Sequence, residues 1–142
     1  MFGKKKKDES RIELTKLSSL IADNMEVSGD VHFLDGLRVD GRIKGNVLTK
    51  AGTKSLLVLS DQGSITGNVS AYDAVVNGTI VGDLEVEHFV ELQANARVTG
   101  NIIYRQLRMD CGATVEGKLT RRGGSAEADE SDNVFSLSAA VQ

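Results

Sequence analysis

Acid–base and thiol chemistry near neutral pH falls to three side chains in this sequence: His32, His88 and Cys111. A histidine base needs a carboxylate to orient it or a hydroxyl or thiol to deprotonate. His88 sits in Glu85-Val86-Glu87-His88, which reads as an outward strand position beside acids, and His32 has no Ser or carboxylate in a recognisable arrangement. A single cysteine forms neither an internal disulfide nor a Cys-based zinc site, and it suits a reducing compartment. Cys111 is expected to be a small core residue. Gly-rich phrases abound, but none forms a phosphate-cradling loop ahead of a helix, so no nucleotide site is expected. Asp and Asn recur at a fixed place in those phrases, without a calcium-binding nonapeptide signature. Stacked Asn46 and Asn68 are expected to hydrogen-bond along a stack instead. The residue types name no catalytic residue, no metal site and no cofactor. They name one phrase, written repeatedly.

Six eleven-residue copies of that phrase align without gaps: IADNMEVSGDV at 21–31, LRVDGRIKGNV at 37–47, LSDQGSITGNV at 59–69, AVVNGTIVGDL at 74–84, LQANARVTGNI at 92–102 and MDCGATVEGKL at 109–119. The ninth column is glycine throughout: Gly29, Gly45, Gly67, Gly82, Gly100 and Gly117. The seventh is always Val or Ile, and the eleventh always aliphatic. The tenth is Asp or Asn except at Lys118. Columns seven, nine and eleven alternate with polar residues, a period of two that belongs to strands; a helix would not tolerate a glycine in each copy.

Internal repeats at this spacing indicate a solenoid. Successive copies start 16, 22, 15, 18 and 17 residues apart. About 17 extended residues close a path of about 56 Å, three sides of about 19 Å, narrow enough for aliphatic side chains to fill. The predicted fold is all-β: a single-stranded parallel β-helix of about six triangular coils, rising about 29 Å. The ninth-column glycine either supplies a positive φ at a corner or faces inward where no side chain fits; its place between two inward aliphatics favours the second. The longest spacing contains Lys50-Ala51-Gly52-Thr53-Lys54, which reads as a loop at one corner.

Composition agrees. Hydrophobic residues make up 40% but aromatics only 4%, so the core must be Val, Ile, Leu and Ala. Proline, which cannot donate to a strand ladder, is absent. No apolar run is long enough to span a membrane and the N-terminus lacks a signal-peptide apolar region, so an intracellular protein is expected. Residues 1–20 carry six Lys/Arg against three Asp/Glu, residues 21–119 nine against thirteen, and residues 120–142 two against four. A basic arm on an acidic body does not suit a nucleic-acid partner.

From about Ser18 to Leu119 the sequence resembles the bactofilins, a bacterial cytoskeletal family. The strongest match is LDGLRVDGRIKGNV at 34–47, followed by the later ITGNV and VTGNI, and the opening MFGKKKK is similar to that of many members. The resemblance implies a right-handed β-helix (residues 18–120) that polymerises end to end without nucleotide. It also implies disordered tails at 1–17 and 121–142 and attachment to the inner face of the cytoplasmic membrane. Members act as scaffolds for cell-wall enzymes and cell shape, so synthesis or remodelling proteins are implied partners. One departure is the lack of an aromatic between the last copy and the tail; Tyr104 and Phe89 are the nearest. The rival reading is a hexapeptide-type β-helix acyltransferase, whose six-residue aliphatic rhythm and intersubunit histidine base are not the pattern here.

A β-helix has sealed sides and two open ends, each with unpaired strand edges. The expected self-association contacts are Ile21, Met25 and Val27 at one end, and Leu107, Met109, Val115 and Leu119 at the other, joined like to like about two-fold axes. Met1 and Phe2 beside Lys4, Lys5, Lys6 and Lys7 form the expected membrane contact, an apolar wedge with adjacent charge for anionic lipid. Val134-Phe135-Ser136-Leu137 is an apolar island in the acidic tail.

Overall fold

The computed structural model describes residues 18–50 and 52–122. Each coil lays down three short strands. The first holds β1 (Ser19–Ile21), β2 (Glu26–Ser28) and β3 (Val31–Phe33); the second holds β4 (Gly36–Val39), β5 (Arg42–Lys44) and β6 (Val47–Thr49). The third begins with β7 (Leu56–Leu59) and β8 (Ser64–Thr66). Two long strands, β9 (Val69–Val76) and β11 (Leu84–Leu92), then bend from the third face of one coil onto the first face of the next, with β10 (Thr79–Val81) between them. The fifth coil continues through β12 (Arg97–Thr99) and β13 (Ile102–Tyr104). The sixth holds β14 (Gln106–Met109), β15 (Thr114–Glu116) and β16 (Leu119–Arg121). No helix occurs among the described residues.

Every strand pairs in parallel with the strand one coil away. The second face is a regular six-stranded sheet, β2-β5-β8-β10-β12-β15. The first and third faces merge into one sheet only because β9 and β11 run unbroken around the corner between them. On the second face Val27, Ile43, Ile65, Ile80, Val98 and Val115 stand in register, which is the seventh column of the repeat. On the third, Val31, Val47, Val69, Leu84, Ile102 and Leu119 form the eleventh.

These columns fill the lumen. Val47, Ile65, Ile80, Leu84, Ile102 and Val115 are fully buried, each contributing on the order of 1.5–3 kcal/mol through apolar burial. Small branched side chains fit the narrow interior, and one aromatic, Phe33, points into it.

Columns one to three are not equivalent in the folded chain. Ile21, Val39, Leu59, Val76, Leu92 and Met109 stack on the first face, so column one of four copies pairs with column three of two. The corner from the first face to the second is therefore wide in coils one, three, five and six, and two residues shorter in coils two and four. Gly41 and Gly78 stand in the short corners; a β-carbon on Gly41 would overlap the Ala22 and Met25 carbonyl oxygens below. Cys111 falls in the last wide corner and is exposed, which corrects the core placement expected for it.

The ninth-column glycines also differ from the favoured expectation. All six have φ between +125° and +158° and sit half-buried or exposed at the corner from the second face to the third, not in the lumen. Both requirements act at one place: the bend needs positive φ, and a β-carbon on Gly45, Gly67, Gly82, Gly100 or Gly117 would overlap the glycine carbonyl of the coil below. The remaining corner, from the third face to the first, holds the expected loop, where Thr53 N–H donates to the Lys50 carbonyl at 3.2 Å.

Candidate functional site

Beside the glycine column runs a ladder of side chains. Asp30 Oδ1 accepts the Asn46 N–H at 3.0 Å, Asn46 Oδ1 that of Asn68 at 2.9 Å, and Asn68 Oδ1 that of Asp83 at 3.1 Å. Asp83 then accepts from Asn101, and Asn101 from Lys118, each at 3.0 Å. Each rung satisfies a bend amide that the strand ladder leaves out. The expected stacking of Asn46 and Asn68 is present and extends over all six coils. The ladder ends at Lys118, whose ammonium only donates.

Among the described residues the sides of the stack are closed by pairing and its ends are not. β2 and β15 terminate the second-face sheet, and β1 and β16 terminate the strand path of the other. On the first coil Leu20, Met25 and Leu34 are 59%, 48% and 57% exposed, while Val27 and Val31 are half-buried against the core. A shallow groove of about 220 Å³ lies there among Asp23, Asn24, Met25, Glu26 and Arg42. On the last coil Leu107 and Met109 are half-buried. Ile21, Val115 and Leu119 are buried core residues, so of the seven expected contact residues Met25 and Val27 on one side and Leu107 and Met109 on the other keep exposed surface. Leu20 and Leu34 were not anticipated. Leu20 points outward because it lies between the inward positions of β1, and Leu34 stands at a corner; neither belongs to the repeat columns.

The end coils differ in charge. Residues 18–35 contain Asp23, Glu26, Asp30 and Asp35 and no Lys or Arg. Residues 105–122 contain five Lys/Arg against Asp110 and Glu116. Arg108 is held by Asp110 at 3.5 Å and Arg122 by Glu85 at 3.2 Å.

His88 is bound into the wall rather than displayed beside acids. It occupies the corner where β11 gains a residue over β9, its Nδ1 is 2.8 Å from Asp73 Oδ1, and its ring stacks on Tyr72 at 5.0 Å. The same Asp73 oxygen accepts the Phe89 N–H at 3.1 Å. An aspartate–histidine pair is the orienting half of a triad. The adjoining groove of about 580 Å³ is lined by Tyr72, Glu87, His88, Arg105, Gln106 and Arg122, with no Ser, Thr or Cys to be activated. The arrangement stitches a corner. His32 is exposed on the outside of β3. Among the described residues no cluster of His, Cys, Asp or Glu could hold a metal ion.

The described coils form one parallel stack with closed sides, and the comparisons with known proteins give it a family. The family model described as "Bactofilin: Polymer-forming cytoskeletal" matches residues 19–120, nearly the whole described solenoid. The chain belongs to the bactofilin family. It is similar to bactofilin BacP of Myxococcus xanthus (strain DK1622), 28% identical over 102 residues, covering 72% of this chain and 41% of BacP. Bactofilin BacO of the same organism is 26% identical over 102 residues, covering 72% of this chain and 74% of BacO. The chain thus spans about two fifths of the length of BacP. No solved structure matches it. Membership makes the protein one of a polymer-forming cytoskeletal family of structural proteins. The six-coil parallel solenoid is the part of the chain that carries the family match. Met1, Phe2, Lys4, Lys5, Lys6 and Lys7 lie outside the described residues, as does the island at 134–137.

Proposed function

We propose that this bactofilin joins end to end, without nucleotide, into non-polar filaments on the inner face of the cytoplasmic membrane, where they scaffold cell-wall or cell-shape machinery. The observation that carries this reading is the pair of terminal coils that no described residue covers, each with unpaired strand edges and apolar side chains, on a body whose sides are closed. The ladder favours like-end joints: a first coil stacked on a last coil would present its bend amide to the Lys118 ammonium, which cannot accept it. The opposite charges of the two end coils pull the other way over longer range.

A single substitution separates the two geometries. With like-end joints, Met25→Arg blocks one joint and leaves the other, so the product is a dimer; head-to-tail joints would leave a monomer. Sedimentation of the variant and negative-stain microscopy of the native chain in plain buffer read this out. Added salt should strengthen like-end joints, which bring like charges together, and weaken head-to-tail ones. Monomers from Met25→Arg, with filaments that dissolve as salt rises, would refute the non-polar filament.

Residues 1–7 are proposed as the membrane contact, each Lys contributing on the order of 1 kcal/mol at an anionic surface. A filament multiplies that through avidity. Deleting residues 2–7 should release a fluorescent fusion from the membrane; retention would place the anchor elsewhere.

A further inference from the structure

The three corners of the solenoid differ in charge. The corner from the first face to the second carries Asp23, Asp40, Asp61 and Asp110 and no Lys or Arg. The corner from the second face to the third carries Asp30 and Asp83 against Lys118. At or beside the corner from the third face to the first lie Lys50, Lys54, Arg105, Arg121 and Arg122. Asp35, Asp73, Glu85 and Glu87 oppose them there, with Asp73 turned to His88 and the Phe89 amide and Glu85 paired with Arg122 at 3.2 Å. Among the described residues this is the only corner with a cationic excess.

The topology adds a second fact. Ser18 precedes β1 and donates to the Gly36 carbonyl at 3.3 Å, so the chain enters the stack at this same corner. Arg122 follows β16 and donates its N–H to the Tyr104 carbonyl at 2.6 Å, so the chain leaves there too. The first described residue, Ser18, therefore lies at the one corner whose charge suits an anionic surface. Along it, the entry point, the Lys50–Lys54 loop and the arginines are spread over six coils at about 4.8 Å per coil, about 24 Å from end to end.

We propose that this corner is a second membrane contact, so that the solenoid lies with its axis parallel to an anionic lipid surface and the corner between the third and first faces turned down. The inference rests on the membrane reading above and deepens it. Residues 1–7 supply the apolar wedge, and the corner fixes which side of the filament meets the headgroups. The wholly acidic corner then points away, and the flat second face stands off the surface. The acidic corner between the first and second faces repels the leaflet, so the filament does not roll onto it.

The test uses the full chain and vesicles of phosphatidylglycerol and phosphatidylcholine containing a headgroup-level spin-labelled quencher lipid. A fluorophore is placed on Gln106→Cys in a Cys111→Ser background, beside the basic corner, or on native Cys111 at the acidic one. Quenching should be strong at position 106 and weak at 111. Separately, Arg105→Gln with Arg121→Gln and Arg122→Gln should lower vesicle partitioning by about fivefold for each charge that faces the surface. Arg42→Gln with Arg97→Gln, on the second face, should leave it unchanged. Failure of the native chain to bind vesicles at all overturns the membrane reading and this inference together. Binding with equal or reversed quenching, or with equal losses from the two sets of substitutions, overturns the inference alone.

Discussion

Gly29 and Gly67 occupy the same column and the same kind of bend, at φ +125° and +151°, but only one has a coil beneath it. A β-carbon on Gly29 meets nothing within 4 Å, whereas one on Gly67 overlaps the backbone of Gly45. Gly29→Ala therefore isolates the conformational penalty of a side chain at positive φ, about 2 kcal/mol. Gly67→Ala adds to that the separation of two coils. Relief of the overlap strains the hydrogen bonds from Gly45 N–H to the Thr66 carbonyl at 3.0 Å and from Val47 N–H to the Asn68 carbonyl at 2.9 Å. Losing both costs about 2 kcal/mol more, for a total of about 4. Urea unfolding followed by circular dichroism at low protein concentration measures the two losses side by side. Equal losses would show that close stacking of the coils is not what restricts this column, and the account of the corner would fail.

Asn68→Ala removes the acceptor for the Asp83 amide and should cost about 1 kcal/mol, while Asn68→Asp, which keeps an acceptor, should cost less in the same unfolding assay. Asp40 should contribute a pH-dependent increment. Burial disfavours its charged form, but hydrogen bonds from Arg38 and Ser60 and the Arg38 charge outweigh this and hold its carboxyl below the usual carboxylate range. With its folded pKa depressed, the contribution is complete above the unfolded value near 3.9 and is lost as pH falls through the lower folded one. Asp40→Asn should therefore cost under about 1 kcal/mol at neutral pH, Arg38 being half exposed, and nothing in strong acid; a difference that grows on acidification would contradict this. Cys111 should react with a thiol reagent at the rate of an exposed cysteine without denaturant, and protection until unfolding would restore the inward placement.

The registers of the second and third faces were legible in the sequence residue by residue. Columns seven and eleven recur because each inward position of one coil packs on the same position of the next, so the lumen writes its own period into the chain. The ladder of column ten was legible for the same reason: a side chain that bonds its successor's backbone must repeat wherever the backbone does. Cys111, the first-face register and the orientation of the ninth-column glycines were not. A wide corner and a short one differ by two residues, and two residues restore the in–out alternation of a strand, so a gapless alignment stays apolar-matched while the corner changes beneath it. Glycine is demanded equally by a positive φ and by a close neighbour, and the one-letter code does not distinguish them; the backbone of the adjacent coil does. The ends followed the same division. That the repeat supplies no cap of its own was legible in its six copies. Which side chains remain uncovered, Leu20, Met25 and Leu34 rather than Ile21, Val115 and Leu119, depends on which way each strand faces once its neighbour is in place, and only the assembled stack decides that.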